Sequence, residues 1–193
     1  SETTHGSNDD KTSGSSSSSS IAIGSANRNA SAAYLRPETA QGAYINFGNV
    51  IASTSRKRLP LGVGQVGKAF RNEISPGKGF LFRTREFELL ELQWFYEGRD
   101  NPDETEKWYR YWVDACVKWL DDLGIDPHMV RAREHHADEL AHYAGATTDL
   151  EFHFPGLGWG ELWGIADRGS FDLEQHCRII IIIICVERQT IPV

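Results

Sequence analysis

Sulfur is scarce in this chain, with three cysteines and one methionine among 193 residues. Cys116, Cys177 and Cys185 form no Cys-x-x-Cys pair and leave an odd count, which argues against a disulfide framework or a thiolate zinc site and fits a reducing compartment. No apolar run reaches the roughly 18 residues that a membrane span requires. Ser1 to Ser20 has no apolar stretch of the kind a signal peptide carries, so a soluble, cytoplasmic protein is expected. Positive charge is in deficit, 20 Lys+Arg against 27 Asp+Glu for a net of −7, which excludes a sequence-wide basic coat for nucleic acid but not a local basic groove. Aromatic residues are missing from the first 33 positions, where Ser15 to Ser20 is an unbroken serine run, and all six tryptophans fall beyond them. That segment cannot bury enough apolar surface to offset the entropy of ordering it. Residues 1–33 are expected to be a disordered tail, and 34–193 the folded body.

The body is well supplied with core formers, at 40% hydrophobic and 11% aromatic residues over the whole chain. A helix is expected over 44–52, after the Pro37 to Gly42 turn region. Gly62-x-Gly64-x-x-Gly67 matches the dinucleotide fingerprint in letters, but a Rossmann glycine loop must follow a strand and open a helix. Here Lys68 to Ile74 reads as a strand running into a turn. Ser75-Pro-Gly-Lys-Gly79 is a turn cluster, and 80–96 is rich in aromatic and aliphatic residues, so the two segments form an antiparallel hairpin. Strand alternation then puts Arg83, Arg85, Phe87, Leu89 and Glu91 on one face of the second strand, and Arg71 and Glu73 on one face of the first. Two arginines, a ring and a carboxylate along one side of a sheet are costly for a plain core.

Asn101-Pro102-Asp103-Glu104 is a helix start, with an Asn cap, Pro at the first position and acids in the first turn. Trp108, Trp112, Ala115, Trp119 and Leu123 recur at helical spacing as the expected packing face, and Gly124 ends the helix. A shorter helix is expected over 137–144, and strands over 151–154 and 160–165. Six consecutive isoleucines, Ile179 to Ile184, read as a fully buried strand or an aggregation hazard. His135, His136 and His142 lack metal-protease spacing, and no Gly-x-Ser-x-Gly is present for a hydrolase nucleophile.

The hairpin carries the chemistry. Phe70-Arg71-Asn72-Glu73, a turn, then Phe82-Arg83-Thr84-Arg85-Glu86-Phe87 resembles motif 2 of the class II aminoacyl-tRNA synthetases. Tyr34-Leu-Arg-Pro-Glu-Thr-Ala-Gln-Gly42, Gly64-Gln-Val-Gly-Lys-Ala-Phe-Arg-Asn-Glu73 and Trp159-Gly-Glu-Leu-Trp-Gly-Ile-Ala-Asp-Arg168 with Phe171-Asp-Leu173 are similar to the glycyl-tRNA synthetases. The resemblance implies an α+β fold: a mixed, mostly antiparallel sheet flanked by helices, incomplete at both ends. Motif 2 spans 70–91 and a degenerate motif 3 spans 181–193.

By that resemblance, Arg71 holds the α-phosphate of ATP, Glu73 accepts from the adenine amino group, Arg83 holds the γ-phosphate and Phe87 stacks on adenine. Asn72, Thr84 and Leu162 complete the ATP set, with Arg188 sandwiching adenine against Phe87. Glu38 and Glu91 bind the glycine ammonium, Arg168 faces the carboxylate or α-phosphate, and Glu161 lies at the Mg²⁺/ATP position. Planar arginine forks suit phosphate, and adenylate formation needs mainly positioning and charge stabilisation. The implied partners are glycine, ATP, Mg²⁺ and the acceptor end of tRNA(Gly), in a family that forms homodimers. Aligned on Arg188, the family's Glu-Pro-Ser positions are Ile181, Ile182 and Ile183, and the Ser-rich segment stands where motif 1 belongs. Two readings follow: a glycine–tRNA ligase, or a degenerate module that binds ATP or the acceptor end without turnover.

Overall fold

In a computed structural model the described residues are 33–55, 58–73, 84–98, 101–142 and 144–177, with the backbone alone of Ala22–Ile23 and Ile182–Gln189. Chain order is β1 (Ala22–Ile23), β2 (Ala33–Tyr34), α1 (Ala40–Ser53), β3 (Leu61–Phe70), β4 (Glu86–Tyr96), α2 (Pro102–Asp122), β5 (Val130–Glu134), β6 (Ala146–Phe154), β7 (Gly158–Gly169), α3 (Phe171–Cys177) and β8 (Ile182–Gln189). A 3₁₀ turn, Pro127–Met129, precedes β5. β1 and β2 form a two-stranded ladder between residues 22–23 of the expected tail and Ala33–Tyr34 at its boundary with the expected body. The other strands form one six-stranded sheet, ordered β3-β4-β8-β7-β6-β5, and every described pairing is antiparallel.

Alternation along β4 assigns its two faces. Phe87, Leu89, Glu91, Gln93 and Phe95 are all buried. Phe95 packs with Ala40, Tyr44 and Phe47 of α1 and Leu173 of α3. The opposite residues Leu92, Trp94 and Tyr96 meet α2. The sheet is therefore covered by α1 and α3 on one side and by α2 on the other.

α2 starts as its sequence predicts, with the Asn101 side chain accepting from the Asp103 and Glu104 amides. It ends before Gly124, which adopts φ 79°. Its packing stripe differs from the expected one. The residues buried against Leu150, Trp163 and Ile165 are Tyr109, Val113, Cys116 and Leu120, one position on from the tryptophans. Trp108 and Trp112 lie at the margin of this contact, tilted and edge-on to Trp94 at 5.0 and 5.3 Å respectively, while Trp119 and Leu123 are exposed. An apolar arc wider than one stripe seats Tyr109, Val113, Cys116 and Leu120 against the sheet and leaves the tryptophan rings at its margin.

Other expectations are corrected. Residues 137–142 form turns rather than a helix, and β5, absent from the expectation, lies upstream of them. β3 begins at Leu61, so the three fingerprint glycines lie inside a strand, which disposes of a nucleotide loop. Two of them make room for side chains: a Cβ on Gly62 would stand 3.2 Å from the Trp94 ring, and one on Gly67 would stand 2.5 Å from the Arg36 guanidinium. β4 is described from Glu86, and residues 74–83, with the hairpin turn, Arg83 and the expected strand start at 80, lie outside the described residues. Ile182–Ile184 open β8, whereas Ile179–Ile181 lie outside the described residues. No described helix is long and apolar enough to cross a membrane.

Candidate active site

On the sheet face beneath α1 one row of paired residues crosses all six strands, polar at every position but Gly164 of β7. Gln65 of β3 pairs with Glu91 of β4, Glu91 with Glu187 of β8, Glu187 with Gly164 of β7, Gly164 with Asp149 of β6, and Asp149 with Arg133 of β5. Directly paired residues share a face, so the row is continuous across the sheet. Its far end is an ion-paired knot. Asp149 accepts from Arg133 Nη2 at 2.9 Å and lies 2.7 Å from His135 Nε2. Among the described residues no group of three His, Cys, Asp or Glu side chains is placed to hold a metal.

Glu91 is 1% exposed and is held from the start of α1. Its Oε2 accepts from the backbone N–H of Thr39 at 2.5 Å and from the Thr39 hydroxyl. Glu38, the preceding residue, accepts from Nε2 of Gln41, the second residue of α1. The two glutamates expected at the ammonium are thereby joined through one residue, though they are far apart in sequence. Burying a carboxylate is costly unless donors compensate it, and here a helix start supplies them.

Arg71 lies just past β3, and its guanidinium carbon stands 5.2 Å from the centre of the Phe87 ring. Arg71 Nε donates to Pro37 O at 3.1 Å, and its amide donates to Arg85 O at 3.0 Å, which closes the hairpin. Arg85 Nε in turn donates to Glu73 O at 3.2 Å. Phe87 is buried with Ala69 and Leu89. The structure thus brings the expected phosphate and adenine residues Arg71 and Phe87 into contact, with Asn72 and Glu73 next along the chain. Thr84 turns its hydroxyl to Glu86 O at 3.0 Å.

Arg168 is 6% exposed and joins four elements. From β7 it grips Asp172 of α3 with Nε–Oδ2 at 2.7 Å and Nη2–Oδ1 at 3.1 Å. Its guanidinium carbon lies 5.5 Å from the ring centre of Tyr44 in α1, whose hydroxyl donates to Gln93 Oε1 of β4 at 2.7 Å. Glu161 is exposed on β7, opposite Glu151 beside a register shift, and its Oε1 would stand 3.5 Å from a Cβ on Gly164. Leu162 packs with the α2 cluster, on the other side of the sheet from the row. Arg188 pairs with Leu90, so the register sets it in the alternate set from Phe87, and Glu187 takes the position beside Glu91.

Sequence reasoning missed Thr39, Tyr44, Gln93 and Asp172. Their partners lie across the fold, Thr39 52 residues from Glu91 and Tyr44 49 from Gln93, so no local spacing marks them. The exception is Asp172, four residues from Arg168, a charge pair visible at short range.

The comparisons with known proteins agree with this geometry. Residues 23–177 match the family described as tRNA synthetase class II core domain (G, H, P, S and T). A glycine–tRNA ligase of Lachnoclostridium phytofermentans is 57% identical over 143 residues, 74% of this chain and 29% of that protein. Those of Ruminiclostridium cellulolyticum and Acetivibrio thermocellus are 55% and 56% identical over the same shares. This chain therefore spans less than a third of the length of the curated relatives it matches. A crystal structure of prolyl-tRNA synthetase from Cryptosporidium parvum, complexed with L-proline and AMP, has the same fold, with a TM-score of 0.66 at 17% identity over 88% of this chain and 37% of that one. The sheet with its flanking helices, the hairpin arginine and the matched span together establish that the chain belongs to the class II tRNA synthetase core domain family.

Proposed function

We propose that this chain is the catalytic-core part of a glycine–tRNA ligase, which joins glycine to ATP as glycyl-adenylate and passes the glycyl group to the 3′ end of tRNA(Gly). The observation that carries the reading is the buried Glu91 carboxylate, fixed by Thr39 on the sheet face that also holds Arg168, with the Arg71–Phe87 contact at the end of the same strand. The high identity to glycine–tRNA ligases across this region supports glycine as the amino acid.

In this reading the amino-acid ammonium docks at Glu91 and Glu38. The carboxylate then attacks the α-phosphorus, pyrophosphate leaves, and little proton transfer is needed. Arg71 and Arg168 offset the charge that builds on the phosphate oxygens, in a site where pre-set donors act without reorganising. Phe87 and Glu91 are four strand residues apart, about 13 Å along the strand, a span suited to the adenine and ammonium ends of one adenylate. Asn72, Glu73, Thr84 and Arg83 would complete the ATP contacts on the hairpin. A single carboxylate, Glu161, suits Mg²⁺, which binds through one or two carboxylates plus substrate phosphates. The ion would neutralise phosphate charge when ATP is bound.

Glycine-dependent ATP–pyrophosphate exchange, with serine and alanine as controls, tests the proposal. Exchange above background with glycine alone is the expected result. The isoleucines at 181 and 183, where the family carries Glu and Ser, favour one second reading, a module that binds ATP without turnover. Background exchange together with calorimetric ATP binding that Arg71→Ala abolishes would select it. Equal ATP affinity in wild type and Arg71→Ala would count against both readings.

A further inference from the structure

We infer that Thr39 is a positioning residue for amino-acid recognition: it clamps one oxygen of Glu91 and sets its spacing from Glu38. The inference rests on the glycine-activating reading above.

The clue is a local rule broken in favour of a distant contact. Thr39 occupies the N-cap of α1, where a threonine oxygen ordinarily accepts from an amide in the first turn. It makes no such cap bond. Its hydroxyl donates instead to Glu91 Oε2, and its own amide donates to the same oxygen at 2.5 Å. Both residues are almost wholly buried, at 2% and 1% exposure, so these bonds are not competing with bulk water. A helix that gives up its own cap to hold a carboxylate on another element marks a place where local preference yields to function.

The geometry has two effects. First, Oε2 is committed to Thr39, which fixes the rotation of the carboxyl plane and hence the direction in which Oε1 is presented. Second, Glu38 is joined by one peptide bond to the clamp and is itself steadied by Gln41. The two carboxylates therefore move as one unit with the start of α1. A glycine substrate has no side chain to grip, so the placement of charge around its ammonium must supply both affinity and selection. Thr39 touches neither ammonium nor phosphate in this scheme and acts through Glu91.

The test uses calorimetry on the intact chain with two probes, ATP and the non-hydrolysable adenylate analogue glycyl-sulfamoyl-adenosine. Thr39→Val keeps the shape but removes the hydroxyl, and Thr39→Ser keeps the hydroxyl. The expected result is roughly tenfold weaker binding of the analogue by Thr39→Val, in line with loss of a bond to a charged group. Unchanged ATP affinity in that variant and recovery in Thr39→Ser complete the expectation. Thr39→Ala, which cannot overpack the site, gives the same comparison should Thr39→Val fail to fold. Analogue binding by Thr39→Val and Thr39→Ala equal to that of the wild type overturns the inference, and so does parallel loss of both probes, which would mark Thr39 as merely structural. A wild type that binds ATP but not the analogue overturns the glycine reading itself, and the inference with it.

Discussion

Arg168 and Asp172 form a bidentate pair at the turn from β7 into α3, with contacts of 2.7 and 3.1 Å and both side chains largely buried. Removing one partner of such a pair leaves the other charge without its main compensation. Asp172→Ala is expected to destabilise the fold by about 3–5 kcal/mol, read as a lower urea midpoint. The double variant Arg168→Met/Asp172→Leu should recover much of that loss, because desolvation is then no longer incurred. An unchanged midpoint in Asp172→Ala would show that the pair does not hold α3 to the sheet.

The stripe that α2 buries can be checked by two leucines three residues apart. Leu120 is 4% exposed within the core, and Leu123 is 57% exposed. Leu120→Ala is expected to cost about 2–5 kcal/mol, and Leu123→Ala under about 0.5 kcal/mol. Equal costs in thermal or urea unfolding would mean that the helix is rotated toward the stripe first expected from the tryptophans.

Two glycines predict opposite signs. Gly48 lies in α1 with open space around a built Cβ, so Gly48→Ala should stabilise by about 0.5–1 kcal/mol. Gly62 lies against the Trp94 ring, where an added methyl would sit 3.2 Å from Cε3 and 3.4 Å from a Leu92 methyl. Gly62→Ala is expected to cost about 1–3 kcal/mol and to alter the near-UV circular dichroism of the tryptophan cluster. A stabilised Gly62→Ala would contradict the close approach of β3 to that ring.

Burial pushes the Asp167 carboxyl above its ordinary range, against a smaller opposing effect of the Gly169 amide that donates to it at 3.0 Å. A carboxyl whose folded pKa exceeds its unfolded one binds more protons folded than unfolded between the two values. Its contribution therefore favours the fold at low pH and is lost as pH rises through that window. Asp167→Asn lacks this loss. The stability of Asp167→Asn relative to wild type should rise with pH above the ordinary aspartate range and then level off. A difference independent of pH in chemical denaturation series would remove burial as the cause.

How far the sequence could be read depended on the reach of each interaction. The cap at Asn101, the stop at Gly124 and the alternation along β4 are short-range features, and each appears in the structure where the residues predict it. The expectation of a helix over 137–144 fails where turns lead into β6, whose antiparallel pairing with β5 sets Arg131 and Arg133 beside Glu151 and Asp149, contacts that local spacing does not mark. The candidate site divides in the same way. Arg71, Phe87 and Glu91 are legible because one hairpin carries them. The clamp from Thr39 and the path from Asp172 through Arg168 and Tyr44 to Gln93 arise only when α1, α3 and the sheet meet.

β8 is the last described strand in sequence yet the third in the sheet, between β4 and β7. It works as a keystone. Without it, the ladder falls into a two-stranded ribbon carrying Glu91 and a three-stranded ribbon carrying Gly164 and Asp149. The row of paired residues that includes Glu91 is consequently complete only after residues 182–189 have entered between strands made earlier. During synthesis Glu91 and the residues beside it on β4 can pair with β3 at once, but must wait for residues 182–189 before their other edge is covered.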